Sequence, residues 1–271
     1  MRYTFCLLGH PVGHSRSPAM HRAALAALGL EGDYVALDVQ PEDLAETVRA
    51  LPARGFRGAN VTVPHKQAVM ATLDEVAPDA RVIGAVNTIV VSPGGRLTGH
   101  NTDWRGFADD LAAHGFDVRG QAVAVLGAGG AARAVVYGLG QAGAEARVFA
   151  RDVRRAAGLA GLGASVHALA ALADADLLRD IALVVNATSA GMAPEVDVTP
   201  WPEGVPYPAG MPLYDLICSP PVTRLMRQAR ATGGQTVNGL GMLVRQGAAA
   251  FELWTGRAAP VEVMERAAGS W

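Results

Sequence analysis

The stretch AVAVLGAGGAARAVVYGL, residues 122 to 139, limits what this chain can fold into more than any other. Val123 to Leu126 reads as a buried strand, and it runs straight through Gly127-Ala128-Gly129-Gly130-Ala131-Ala132 into a helix with apolar periodicity. Strand, glycine turn and helix in that order make a βαβ unit, which commits the chain to a largely parallel sheet covered by helices. Similar strand-like runs recur elsewhere, as YTFCLLG, DYVALDV, GANVTV, VNTIVV, EARVFA, ALVVNAT and PLYDLI, separated by Ala/Leu-rich helical segments. Ligands of such folds gather at the carboxyl ends of the strands. A helix from about Asp103 to Gly115 marks a seam before the strand at Val123, and APEVDVTPWPEGVPYPAGMP is too rich in Pro and Gly for a regular element.

The chain has 271 residues, half of them apolar, enough for two α/β domains. A formal charge of -2 and a pI near 6.4 give no basic face, so nucleic acid is not an expected partner. Cys6 and Cys218 show no metal-type spacing and are too few for a disulfide framework, which points to a reducing cytoplasm. His14 and His21 likewise lack ligand spacing, and no metal is expected. The apolar run near the N-terminus breaks at Gly9 and Pro11, too soon for a signal peptide or a membrane span.

In the glycine turn, Gly127 permits the tight bend, Gly129 lets backbone approach a pyrophosphate, and Ala132 allows close helix packing. A turn without any ligand is the other reading. After the next strand comes Arg151, with Arg154 and Arg155 a turn later, where an NAD site would carry an acid for the ribose 2′-hydroxyl. Guanidinium groups suit a 2′-phosphate, which favours NADP. Asp152 counts against this unless it points away or pairs with an arginine, and three solvated arginines opening a surface helix are the alternative.

Ser17 fits a helix N-cap ahead of Pro18, and Ser15, Ser17 and the free N–H groups of that turn form a small anion site suited to a carboxylate. Capping alone also accounts for Ser17. In ANVTVPHKQAVMATL, Pro64 fits a first helical position, which puts Lys66 at the positive end of the helix dipole, a disfavoured place for a cation. The loops GANVTVPHK, GAVNTIV and GHNTDWRGF bring Asn60, Thr62, Asn87 and Thr102 as hydrogen-bonding groups for a polyhydroxylated ligand, with Lys66 and Asp103 beside them. A Lys66–Asp103 pair could pass a proton; an exposed lysine and a helix-capping aspartate would also fit.

GHPVGHSRSPAMH, GANVTVPHK, GAVNTI, GHNTDWRGF, GAGGAARA, NATSAGM, YDLICSP and NGLGMLVRQGAAAFELWTG resemble, in order, the signature segments of shikimate dehydrogenases. The resemblance spans nearly the whole chain. It implies a substrate domain at 1–102 and 239–271 and a Rossmann domain at 103–238 that binds NADP. It further implies reversible reduction of 3-dehydroshikimate, with Lys66 and Asp103 as catalytic pair. Ser15 and Ser17 would hold the shikimate carboxylate, and Thr62, Asn87 and Gln246 the ring and its hydroxyls. Gly127, Ala128, Gly129, Gly130, Ala131, Arg151 and Arg155 would bind the cofactor, with Leu216 and Gly239 along its nicotinamide half. Cys218 stands at a substrate-side position where these enzymes commonly carry Tyr, and Ala150-Arg151-Asp152 stands where they carry Asn-Arg-Thr. A quinate-preferring or NAD-using relative and a non-catalytic cofactor-binding module are the alternatives; Lys66 and Asp103 argue against the second. A small-molecule enzyme, monomeric or homodimeric and without membrane contact, is the expectation.

Overall fold

A computed structural model describes residues 2–269 of the chain. It divides into two compact units, residues 1–106 with 243–271 and residues 107–242. Both are α/β.

The first unit carries the strands β1 (Tyr3–Gly9), β2 (Gly32–Asp38), β3 (Gly58–Val61), β4 (Glu75–Val76), β5 (Thr88–Val91) and β6 (Leu97–His100). They form one sheet in the order β2-β1-β3-β5-β6-β4. β1 runs parallel to β2 and β3, and β4 runs parallel to β6, whereas β5 is antiparallel to both β3 and β6. That antiparallel strand sets its own start, at Thr88, beside the ends of β3 and β6, so the residues entering β5 meet the loops that follow β3 and β6. Helices α1 (Ser17–Ala27), α2 (Leu44–Ala50) and α3 (Pro78–Ile83) belong to this unit, as does α10 (Val261–Gly269). Cys6, Leu8, Ala59, Val61 and Ile89 pack one side of the sheet against Val48 and Leu51 of the α2 region. Phe5 is stacked on Trp254 at 4.6 Å between ring centres, and Trp254 anchors its indole N–H on the Ile89 carbonyl at 2.9 Å.

The second unit holds β7 (Ala122–Leu126), β8 (Glu145–Ala150), β9 (Ser165–Ala168), β10 (Ile181–Asn186), β11 (Leu213–Asp215) and β12 (Thr236–Asn238). Its sheet order is β12-β11-β10-β7-β8-β9, every pairing is parallel, and the chain order reverses at β7. This is the doubly wound Rossmann arrangement, with its switch point at the end of β7. Val123 and Val125 face one hydrophobic cluster while Ala122, Ala124 and Leu126 face another, so β7 is apolar on both sides, as a covered parallel strand must be. The helices are α5 (Gly130–Gln141), α6 (Val153–Ala156), α7 (Ala175–Leu178) and α8 (Arg224–Ala231). Helices α4 (Asp103–Ala113) and α9 (Leu240–Thr255) each carry the chain from one unit to the other. The Pro/Gly-rich segment 193–212 has no regular element, yet it buries Trp201 and Tyr207 against the second cluster. Among the described residues no helix is long and apolar enough to cross a membrane.

Candidate active site

Lys66 does not sit in a helix. Residues 63–67 form a turn, and the 3₁₀ segment Ala68–Thr72 starts beyond it. The expectation of a helix opened by Pro64 fails because the Lys66 carbonyl accepts from the Val86 N–H at 2.7 Å, so it does not serve a helical ladder. His65 pins the same turn: its Nε2 donates to the Val39 carbonyl at 2.7 Å, and the ring is buried. The lysine is thus aimed by tertiary hydrogen bonds, and the supposed dipole penalty does not arise.

Its Nζ donates to Asp103 Oδ2 at 2.6 Å, with the two side chains only 14% and 5% exposed. Asp103 is the first residue of α4, where a carboxylate is the favoured charge. Asn101 supports that helix start, its Oδ1 accepting the Asp103 N–H at 3.1 Å. Asn87, at the entry to β5, is locked in one orientation. Its Oδ1 accepts from the Thr102 N–H at 2.7 Å and the Thr88 hydroxyl at 3.0 Å, so its amide nitrogen must face the other way. That nitrogen donates to Asp103 Oδ1 at 2.8 Å and lies 3.2 Å from Gln246 Oε1. Lys66, Asn87, Thr102, Asp103 and Gln246 therefore form one connected, mostly buried polar group, drawn from four separate stretches of chain. Asn60 joins from behind, donating to the Asn87 carbonyl at 3.2 Å and accepting from the Tyr34 hydroxyl at 2.8 Å.

Thr62 follows β3 with its backbone N–H on the Leu8 carbonyl at 2.8 Å and its methyl against Gly9. Ser15 and Ser17 open α1, but Ser17 is not its N-cap. The helix begins at Ser17 with Arg16 in the cap position and no side-chain cap, because the Ser15 hydroxyl accepts the Ser17 N–H at 3.2 Å. Cys218 lies in the second unit, half-buried on the loop after β11, whereas the other candidate substrate residues lie in the first. Thr88 and Asn101 were not singled out from the sequence. Asn two residues ahead of the acidic helix start was a readable signal; Thr88 inside a strand offered none.

In the second unit the glycine turn follows β7. Gly127 has φ +112°, a conformation L side chains rarely adopt, and a Cβ there would come within about 3.0 Å of the Thr188 methyl. Gly129 caps α5 without a side chain, and a Cβ added there would meet nothing within 4 Å, so the N–H groups opening α5 face an open cradle. Arg151 and Arg155 are exposed just past β8. Asp152 is the N-cap of α6, its carboxylate accepting from the N–H groups of Arg154 and Arg155 at 3.0 and 3.2 Å. Leu216 and Gly239 are brought together: a Cβ on Gly239 would stand 2.0 Å from the Leu216 carbonyl oxygen, so only glycine fits.

Fold and site together define a class, a two-unit α/β oxidoreductase architecture with a dinucleotide turn in one unit and a buried lysine–aspartate pair in the other. The family model described as shikimate dehydrogenase substrate binding domain matches residues 7–89, and that of the shikimate 5′-dehydrogenase C-terminal domain matches residues 239–268. Shikimate dehydrogenase (NADP(+)) of Symbiobacterium thermophilum is 50% identical over 97% of this chain and 92% of that protein. The enzyme of the same name from Moorella thermoacetica is 49% identical over 96% of this chain and 90% of that protein. A crystal structure of shikimate 5-dehydrogenase from Thermus thermophilus, in complex with NADP(H) and shikimate, is 44% identical, superposes with a TM-score of 0.86 and covers 98% of each chain. The chain belongs to the shikimate dehydrogenase family.

Proposed function

We propose that this protein catalyses the reversible NADPH-dependent reduction of 3-dehydroshikimate to shikimate, a step toward aromatic amino acids, in the cytoplasm. The carrying observation is the buried Lys66–Asp103 pair at 2.6 Å, held on Asn87 and backed by Gln246. The first unit binds the substrate, with Ser15 and Ser17 on its carboxylate and Thr62, Asn87 and Gln246 on the ring and hydroxyls.

The second unit fits NADP. The glycine turn at Gly127 to Gly129 and the open N-terminus of α5 at Gly130 and Ala131 suit the pyrophosphate, and Arg151 and Arg155 suit the 2′-phosphate. Asp152 has a role apart from a ribose, because Oδ1 of its carboxylate caps α6. Leu216 and Gly239 border the nicotinamide half. The cofactor supplies or takes the hydride. Lys66 Nζ donates a proton to the carbonyl oxygen as negative charge grows there in reduction, and takes it back in oxidation. Asp103 fixes the ammonium in place and Asn87 fixes Asp103.

The test is nicotinamide absorbance with shikimate and each cofactor. Turnover with NADP well above NAD is expected; turnover with quinate and NAD instead would replace this reading. Arg151→Ala should raise the KM for NADP roughly 10- to 100-fold, the worth of a hydrogen bond to a charged group. It should leave the KM for NAD unchanged.

A further inference from the structure

Two segments of the second unit, NATSAGM and YDLICSP, meet at a carboxylate to which the proposed function gives no role. Asp215 ends β11 and is fully buried. Asn186, at the end of β10, donates its amide to Oδ1 at 2.9 Å. The Ile217 N–H donates to the same oxygen at 3.1 Å, and the Thr223 hydroxyl to Oδ2 at 2.7 Å. Residues 216–222 therefore form a loop whose two ends return to one carboxylate.

The same side chains reach further. Thr223 also caps α8 by accepting the Met226 N–H at 3.2 Å. Asn186 Oδ1 accepts from the Thr188 N–H at 3.0 Å and its hydroxyl at 2.8 Å, and residues 187–188 abut Gly127. The Leu216 N–H donates to the Asn186 carbonyl at 3.0 Å, and the Gly239 N–H to the Ile217 carbonyl at 3.1 Å. Asp215 thus ties together the glycine turn, the 187–188 turn and the Leu216–Gly239 contact.

We infer that Asp215 is a positioning residue for the cofactor: its carboxylate clamps the loop 216–222 and, through Asn186, the turn facing Gly127, in the shape that receives the dinucleotide. The inference rests on the reading of the second unit as the NADP site. All three partners donate, so the cluster is built for the ionised carboxylate, although burial pushes its pKa up to about 6. The titratable group facing it is Tyr207, which burial keeps protonated. Among the described residues no cation pairs with it, and such a buried charge is a cost to stability that a site can carry when function needs its hydrogen bonds.

That gives a test in which a structural and a positioning role diverge. Asp215→Asn keeps the size and removes the charge. NADP binding, measured by titration on the full chain at pH 8, should weaken about 10-fold, with KM for NADP rising alongside and KM for shikimate unchanged. Thermal stability should hold or rise. Thr223→Val should share the loss and Thr223→Ser should restore affinity, which serves if the Asp215 variant does not fold. Unchanged NADP affinity in Asp215→Asn and Thr223→Val would overturn the inference, as would a loss of affinity that merely follows a lowered Tm and an altered KM for shikimate. Failure of the unaltered protein to bind NADP would instead strike the functional reading on which the inference stands.

Discussion

Lys66→Met lowers kcat by about 10²- to 10⁴-fold while the KM for shikimate changes little, the expected result of removing a proton donor that acts mainly in the transition state. Methionine keeps the length of the stem and removes the charge. Its loss also leaves Asp103 buried without a cation, and breaking a buried pair in this way costs about 3–5 kcal/mol. Asp103 keeps the Asn87 amide as a donor and stands in the first turn of α4, where the helix dipole favours a carboxylate, which limits that cost. The double variant Lys66→Met/Asp103→Asn removes the stranded charge, so its Tm should recover while its kcat stays low. Steady-state rates beside melting curves check both. A single variant that turns over normally would make the pair a structural ion pair and nothing more.

Acid should destabilise the first unit through His21. The ring is fully buried and stacked on Tyr34 at 4.4 Å between ring centres. Among the described residues neither ring nitrogen meets a partner in good hydrogen-bond geometry, and a weak interaction with Asn60 does not offset burial, which lowers the pKa to about 3. The unfolded chain takes up a proton near 6.5, so between 6.5 and 3 the unfolded state binds more protons than the folded one. Stability from this residue is therefore fully present above pH 6.5 and is lost as pH falls toward 3. At pH 4 the loss is about 3 kcal/mol, at roughly 1.4 kcal/mol per pH unit. His21→Phe keeps the stack and removes the titration. Hydrogen exchange at the β1 amides reads the first unit by itself; protection there should fall with acid in the unaltered protein and much less in the variant. Equal acid sensitivity would show that His21 is not the group responsible. Asp215 works with the opposite sign in the second unit, since a carboxyl raised to about 6 gains stability as pH falls from there toward 3.8.

Much of the architecture is written in short stretches. The strand, glycine turn and helix from Ala122 onward depend on residues within a few positions of one another, and Gly127 has the positive φ that its place demands. The eight expected strand runs all contain a strand, because a buried parallel strand needs an apolar run and little else. β4, β6, β9 and β12, two to four residues each, were not read from the sequence; such short strands exist only because a neighbour supplies their ladder.

The site divides the same way. Chemistry-bearing residues such as Lys66, Asn87 and Asp103 stand out by type and by the turns they occupy, so the sequence could nominate them. Their meeting could not be read there, since Lys66 and Asp103 are 37 positions apart and the register of β3, β5 and β6 brings their loops together. Nor could the backbone at Lys66, whose helical signal yields to one hydrogen bond from Val86. Local propensity is worth a few tenths of a kcal/mol per residue, and a buried carbonyl left unpaired costs about 1–3 kcal/mol. Wherever the two conflict the tertiary partner prevails, and Lys66 is aimed by the fold around it.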